Sequence, residues 1–353
     1  MRLATAFNIS LLAAFVAAAE QTQSCSSLEV RKEWRSFSKT ERKAWVDAVN
    51  CLNKAPSNGK LTPPIDTDSL ELAYHIAPFN ASGTYYDDLV YAHMNLNPVI
   101  HHTGLFLPWH RAYTHEWTNA LRSECGYTGV VPYWDSEDLL GSEIWDTDSE
   151  AGLGGFSDDE TDDYTLHTGA LNIDLSYPTP HKLRRHYYPQ PWTNSNRTAV
   201  STFTPAEIQK LLATSDGNFT QFQGYLESTT GMHAAVHLMM GGDMGTRCPA
   251  GTQGTIYCPS GNPTFSASEP MFHLHHANVD RLWWLWQEKN SINKYAFHGG
   301  SVQNRSSSDI YPNGQPPWLN KTDAVPSAGL WDVYTIEQTL DTRSWPWCYV
   351  YDQ

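Results

Sequence analysis

The histidines of this chain fall into two groups that lie far apart in the sequence, and any fold must accommodate both. The first group is His93, His101, His102 and His110, and the second is His233, His237, His273, His275 and His276. Imidazole is a common metal ligand, and each group is large enough to supply three ligands to one ion. A fold that uses both groups must gather side chains from widely separated segments.

The second group contains a local spacing that favours metal binding. His233 and His237 lie four residues apart, so on a helix their imidazoles share one face about one turn apart. This arrangement suits two ligands of one metal, although ordinary core or surface histidine pairs have the same spacing. Asp280 lies four residues after His276 and can orient an imidazole or a neighbouring group.

The first group has no such local rule. His93 is expected on a helix that Pro98 ends, because proline lacks a backbone donor and biases the preceding residue away from helical conformation. His101 follows that break, and His110 lies at the start of the next helix. These side chains can meet only in the tertiary structure, and the spacing allows either His101 or His102 to be the ligand.

Other residues near these histidines are candidates for supporting roles. His275 should point about a quarter-turn aside from His276 on a helix, so we interpret it as either a neighbour of the ligands or a hydrogen-bonded core histidine. His273 is expected to line a pocket. The candidates for orienting the ligands are Asn278, Asp280, Trp134 and Asp135.

The hydrophobic pattern predicts a mainly helical protein. A helix is clearest from Ser38 to Leu52, where Ser38 and Glu41 can form a capping box. Pro108 and Pro270 suit the first positions of two others. Further helices are predicted at 84–96, 108–124, 204–213, 218–240 and 270–290. We therefore predict a mainly α fold with a four-helix-bundle core, long loops and little strand, in which facing helices can surround a metal.

The N-terminus has the layout of a cleaved secretory signal. Arg2 precedes an apolar run at 9–16 and small residues at 17–19, and this run is too short to span a bilayer. We expect residues 1–19 to be removed and 20–353 to form one domain, since there is no internal repeat or linker-like stretch. The glycosylation sequons agree with secretion, and they lie at Asn80, Asn196, Asn218, Asn304 and Asn320.

Cysteine content and charge narrow the class further. The 6 cysteines are expected to form disulfides in an oxidising compartment, and Cys248 and Cys258 flank a loop that a local disulfide can close. The pairing of the other four stays open. The formal net charge of −15 argues against nucleic acid or an anionic membrane as a partner.

Two longer motifs resemble those of a known family. The segment 106–111 (FLPWHR), preceded by His101, and the segment 270–283 (PMFHLHHANVDRLW) are similar to the two copper-binding signatures of tyrosinases, catechol oxidases and molluscan haemocyanins. The resemblance runs from about Val30 to the C-terminus. It implies a binuclear centre of two copper ions, with His93, His101 and His110 on the first ion and His233, His237 and His276 on the second.

The resemblance also implies how the domain closes. Tyr349 and Tyr351 look like the Tyr-x-Tyr motif at the end of the oxidase domain, packed near an N-terminal arginine such as Arg31. The chain resembles the short, secreted fungal form, without a C-terminal shielding domain. Some family members have a thioether bond between a cysteine and the second histidine ligand of the first copper. In one version the cysteine lies two residues before that histidine, and Val99 at this position excludes that version. Pro263 is a candidate gate residue over the second copper.

The implied activity is oxidation of phenols by O₂. Hydroxylating a monophenol requires removal of a phenolic proton with a pKa near 10. In members of this family, proton removal is attributed to a water molecule that a glutamate and an asparagine hold in place. Glu227 can be the glutamate, but Ala234 stands where the asparagine would be. We therefore expect oxidation of o-diphenols to o-quinones with reduction of O₂ to water. Leu238 leaves an apolar entrance that suits methoxy or alkyl phenols.

Three alternatives remain. The chain can be a tyrosinase that also hydroxylates monophenols, including methoxyphenols. It can be a haemocyanin-like O₂ carrier, which predicts a bulky side chain over the second copper. It can also be a binuclear zinc hydrolase, but such sites usually include bridging carboxylates, and the two signatures place none at a ligand position.

Overall fold

The computed structural model describes residues 24–70, 75–141, 143–192, 196–258 and 264–352. The segment predicted as a signal, 1–19, and the candidate gate Pro263 lie outside these residues. The helices are α1 (Lys39–Leu52), α2 (Tyr85–Ile100), α3 (Phe106–Cys125), α4 (Pro205–Leu212), α5 (Phe219–Glu227), α6 (Met232–Met240), α7 (Met271–Gln287) and α8 (Ser291–Lys294). The prediction of a mainly α fold is confirmed.

The strands are short and lie around this helical core. They are β1 (Glu29–Glu33), β2 (Pro132–Tyr133), β3 (Asp174–Leu175), β4 (His181–Lys182), β5 (Gly300–Val302), β6 (Gln315–Trp318), β7 (Ala324–Val325), β8 (Tyr334–Thr335) and β9 (Tyr349–Tyr351). β1 pairs in parallel with both β2 and β9, and the other strands form three antiparallel pairs. The described helices include none long and apolar enough to cross a membrane.

Four helices carry the histidines and pack on one another. α3 lies against α1, α2 and α7, and α6 lies against α5 and α7. Large aromatic side chains fill the space between them, and several tryptophans are almost fully buried, including Trp109, Trp117, Trp283 and Trp286. Burial of such rings contributes strongly to core stability, because each removes a large apolar area from water.

α1 begins where the capping signal predicts. The Ser38 hydroxyl accepts a hydrogen bond from the Glu41 backbone N–H, and the Glu41 carboxylate accepts one from the Ser38 N–H at 2.7 Å. α2 begins with the same arrangement between Thr84 and Asp87. These reciprocal bonds satisfy backbone donors that the first turn of a helix leaves unpaired.

The prediction that Pro98 ends α2 is wrong, since the helix continues to Ile100. Proline at position 98 cannot donate to the carbonyl of Met94, four residues earlier. The Thr264 hydroxyl donates to that carbonyl instead, at 3.3 Å. A side chain from a distant loop thus supplies the hydrogen bond that the proline removes, and the helix tolerates the proline.

The predicted helix at 218–240 is also corrected, because it is two helices. α5 ends at Glu227 and α6 begins at Met232. Between them the Gly231 N–H donates to the Ser228 carbonyl at 2.7 Å. A Cβ at Gly231 would lie 2.9 Å from this carbonyl oxygen, so the tight turn requires glycine. α3 begins at Phe106, two residues before Pro108, which lies in the first turn where no internal donor is needed.

The two ends of the described chain meet behind α7. The Arg31 guanidinium lies 3.3 Å from the centre of the Tyr349 ring and donates to the Tyr351 hydroxyl at 3.2 Å, as the resemblance implies. The Asp280 carboxylate accepts from Arg31, Arg111 and both tyrosines. Asp280 therefore holds this buried network together, so that of the two expected roles it orients neighbouring groups and not an imidazole.

All six cysteines form disulfides. Cys248 pairs with Cys258, as the sequence predicts. The other bonds are Cys25–Cys348, which joins the segments before β1 and β9, and Cys51–Cys125, which joins the C-terminal ends of α1 and α3. Cross-links of this kind reduce the conformational entropy of the unfolded chain.

Candidate metal centre

The first histidine cluster contains His93 on α2, His101 after α2 and His110 on α3. Their ligand nitrogens lie within 4.8 Å of one another. His93 Nδ1 lies 3.0 Å from the Thr264 carbonyl oxygen, and His110 Nδ1 lies 2.8 Å from that of Phe106. Because a carbonyl only accepts, each Nδ1 carries the proton and each Nε2 keeps a lone pair. Neither Nε2 has a hydrogen-bond partner among the described residues.

The structure brings His101, of the two adjacent candidates, into this cluster. His101 Nδ1 lies 3.0 Å from Asn97 Nδ2, so the orientation of this amide sets the tautomer of His101. His102 has a left-handed backbone conformation with φ 52°. Its N–H donates to Glu227 Oε1 at 2.6 Å, and it lies at the edge of the site.

The second cluster contains His233 and His237 on α6 and His275 and His276 on α7. His237 Nδ1 lies 3.2 Å from the Met244 carbonyl oxygen, which leaves Nε2 free. That Nε2 lies 3.4 Å from His276 Nε2. The His276 ring also stacks on His110 of the first cluster, with the ring centres 4.3 Å apart. The two clusters are therefore neighbours in one site.

His275 lies beside the predicted ligands, in agreement with one of its two interpretations, and its ring is close enough to be a candidate ligand itself. Its ring is parallel to that of His233, with centres 5.6 Å apart, and its ligand nitrogen falls within the second cluster. Both of its ring nitrogens are buried with no hydrogen-bond partner in the described part of the chain. It is therefore not a satisfied core histidine. α6 packs beside this part of α7, which brings the ring close to the cluster.

Four other supporting candidates lie elsewhere. His273 stacks on Trp117, with the ring centres 3.5 Å apart, and these two rings line a separate small pocket and not the cavity at the clusters. Asp135 caps a turn and faces Arg281 at 3.9 Å. Trp134 packs edge-on against Trp145, and Asn278 donates to Ser136 Oγ at 3.4 Å. The contacts of Asp135, Trp134 and Asn278 stabilise the segments around α7, and none of these contacts involves a histidine ring.

A cavity of about 160 Å³ opens onto both clusters. Its described lining comprises the rings of His93, His101, His102, His233 and His237 with Asn97, Leu238, Met244, Gly245, Thr246, Thr264, Ser266, Gln303 and Arg305. Leu238 is one of these lining residues. The entrance is nevertheless more polar than the sequence predicts, because the loop after β5 contributes Gln303 and Arg305, which no local signal identified. A larger cavity of about 670 Å³ lies elsewhere, around His115 and Trp347, away from the clusters.

The two residues predicted to govern catalysis lie beside this cavity's walls. Glu227 is buried at the end of α5, and its carboxylate accepts from the His102 N–H and from Gln223 Nε2, at 2.6 and 3.0 Å. Burial raises the pKa of Glu227 well above its usual range. Ala234 follows His233 on α6 and is partly exposed. Neither residue belongs to the described lining of the cavity.

The comparison with known proteins identifies the family. The family model "Common central domain of tyrosinase" matches residues 83–289. The chain belongs to the tyrosinase family. It is 31% identical over 360 residues to the tyrosinase-like protein phomQ1' of Diaporthe leptostromiformis. This alignment covers 94% of this chain and 81% of that protein. It is 27% identical to the N-acetyl-6-hydroxytryptophan oxidase ivoB of Emericella nidulans, over 97% of this chain and 98% of that one.

A solved structure of a polyphenol oxidase has the same fold. A variant polyphenol oxidase from Thermothelomyces thermophila matches with a TM-score of 0.66 and 22% identity, over 92% of this chain and 89% of that chain. The family implies a binuclear copper centre and oxidation of phenolic substrates with O₂.

The histidine clusters fit such a centre. Burial lowers the pKa of all six predicted ligands, to about 3 for His93 and about 4 for His237, so the rings are neutral near pH 7 with a lone pair available. The Nε2 atoms of His93, His110 and His233 are buried without a described hydrogen-bond partner, a cost that metal binding would remove. Neither cluster includes a carboxylate, and an all-imidazole set suits copper.

Proposed function

We propose that this tyrosinase-family oxidase converts o-diphenols to o-quinones and reduces O₂ to water. Two diphenols are oxidised for each O₂, so that electrons and protons balance. The residues that would hold the two coppers are His93, His101 and His110, and His233, His237 and His276. When bound, the copper pair supplies the site at which O₂ is bound and reduced.

The observation that carries this proposal is the placement of the two clusters. His276 of one cluster stacks on His110 of the other, and a single cavity reaches rings of both. A small aromatic substrate in this cavity is therefore close to both sets of imidazoles. The surrounding hydrogen bonds fix the rings before the substrate enters, because backbone carbonyls hold Nδ1 of His93, His110 and His237.

The surroundings of Glu227 support diphenol oxidation over monophenol hydroxylation. Both of its carboxylate oxygens already accept hydrogen bonds from protein donors. Its raised pKa favours the neutral carboxylic acid, which is a poor base. Ala234 has no side-chain amide that could hold a water molecule beside His233. An o-diphenol is oxidised without the insertion of oxygen into the ring, so it depends less on such a base.

We also propose that residues 1–19 are a secretory signal, that 20–353 form the oxidase domain and that the protein works outside the cell. The three disulfides support an oxidising environment. The sequon at Asn80 is exposed and is available for glycosylation.

The experiment compares 4-methylcatechol with 4-methylphenol as substrates of the copper-loaded protein, by O₂ uptake. We expect fast uptake with the catechol and slow or lagging uptake with the phenol. The variant Ala234→Asn introduces the missing amide and should raise the rate with the phenol relative to the catechol. Ala234→Leu, of similar size but without the amide, is the matched control.

Two results would change the proposal. Fast uptake with the phenol in the unaltered protein favours the tyrosinase alternative, in which monophenols, including methoxyphenols, are hydroxylated at the ortho position. Reversible O₂ binding without turnover of either compound favours the carrier alternative.

A further inference from the structure

The loop after β5 gives the cavity a positive charge. Arg305 is the only permanently charged side chain among the described residues that line the cavity. The lining includes no aspartate or glutamate in the described part of the chain. This contrasts with the chain as a whole, whose formal net charge is −15. A positive group at the entrance of the site is therefore a local feature and not a consequence of overall composition.

Hydrogen bonds hold this loop against the first histidine cluster. Gln303 Nε2 donates to the His101 carbonyl oxygen at 2.8 Å, which ties the loop directly to a predicted ligand. Asn304 Nδ2 donates to Gln315 Oε1 at 2.9 Å, and its Oδ1 accepts from the Ser307 N–H at 3.1 Å. These bonds fix the backbone next to Arg305, which occupies the first position of that turn.

The charge of Arg305 acts within the site. Arg305 and His102 line the same cavity. Arg305 also opposes the effect of burial on the pKa of Glu227. Arg305 therefore lies within electrostatic range of a carboxyl group beside the site. An anionic group that reaches this part of the cavity would be attracted in the same way.

We propose that Arg305 binds a carboxylate on the side chain of the substrate, so that the preferred substrates are o-diphenols with an acidic tail. Guanidinium binds carboxylate through charge-assisted, often bidentate, hydrogen bonds. The diphenol ring lies toward the histidines, and the tail extends toward the loop at 303–305. This inference rests on the proposed diphenol oxidation and adds the class of substrate.

The test uses two substrates that differ only in charge, 3-(3,4-dihydroxyphenyl)propionic acid and its methyl ester. With Arg305→Gln, kcat/KM for the acid should fall about tenfold, mainly through a higher KM, as expected for loss of a partly screened charge-assisted bond. The ester should change less than about twofold. Arg343→Gln removes the same charge at an exposed site and is the matched control. Arg305→Lys should recover part of the effect.

A binding measurement separates this inference from the proposed activity. Calorimetry with 3-phenylpropionate and its methyl ester, which lack the diphenol, should show that Arg305→Gln weakens only the acid. If neither diphenol is oxidised but this difference is found, the proposed function fails and the anion site stands. If Arg305→Gln changes acid and ester equally, or no more than Arg343→Gln does, the anion site is overturned.

Discussion

Thr264 links the stability of α2 to the histidine site, and its removal gives a quantitative prediction. Its hydroxyl donates to the Met94 carbonyl that Pro98 leaves unpaired, and its own carbonyl accepts from His93 Nδ1. Thr264→Val keeps the shape of the side chain and removes only the donor. The Met94 carbonyl would then be left without its partner inside the protein.

The expected cost follows from that contact. A buried polar group without a partner costs about 1–3 kcal/mol, and the 3.3 Å distance is long, so we expect a loss near the lower limit, about 1 kcal/mol. Pro98→Ala restores an N–H that can donate to the Met94 carbonyl within the helix. In that background Thr264→Val should cost only about 0.3 kcal/mol, since the carbonyl is already paired.

The assay is urea unfolding of the copper-free, disulfide-intact protein, followed by tryptophan fluorescence, for the two single variants and the double variant. Thr264→Ser keeps the hydroxyl and should show no coupling with Pro98→Ala. Copper content should be unchanged in Thr264→Val, because the carbonyl that orients His93 remains. Equal costs of Thr264→Val in the two backgrounds would refute the assigned role of the hydroxyl.

Three further predictions concern buried polar groups. Asp280→Ala leaves Arg111 without its buried carboxylate partner and should destabilise the protein by about 3–5 kcal/mol in urea unfolding; a loss below 1 kcal/mol would contradict the network. Burial lowers the pKa of His115 to about 3, below the ordinary 6.5 of the unfolded chain. The folded protein therefore keeps this imidazole neutral, and its contribution to the free energy of unfolding is present above pH 6.5 and is lost as the pH falls toward 3. The melting temperature of His115→Gln should therefore fall less steeply than that of the wild type between pH 6.5 and 4, and parallel slopes would exclude this role. Glu227→Gln should cost less than about 1 kcal/mol in thermal unfolding, while Glu227→Ala, which leaves the His102 N–H unpaired, should cost about 1–3 kcal/mol; equal costs would argue against that bond.

The parts of the fold that depend on residues close together in the sequence could be predicted. The capping box of α1 and the one-turn spacing of His233 and His237 are local, and both are found in the structure. The continuation of α2 past Pro98 could not be predicted, because the partner that compensates for the proline, Thr264, lies in a distant loop.

The same distinction applies to the site. The residues predicted as ligands lie in the two clusters, since their motifs contain most of the required pattern. The angle of His275 on α7 left two interpretations open, and the packing of α6 beside α7 places its ring next to the ligands. Arg305 belongs to a loop whose one recognised motif is the sequon at Asn304, which does not predict a place in the site, and tertiary hydrogen bonds such as that from Gln303 to His101 hold the loop beside the cavity.

The most direct test of the central proposal is O₂ uptake with 4-methylcatechol by protein reconstituted to two coppers per chain. We predict rapid uptake of one O₂ for every two catechols oxidised, and loss of this uptake when a chelator removes the copper. Fully copper-loaded, folded protein that consumes no O₂ with the catechol, or uptake that persists after the copper is removed, would contradict the proposal.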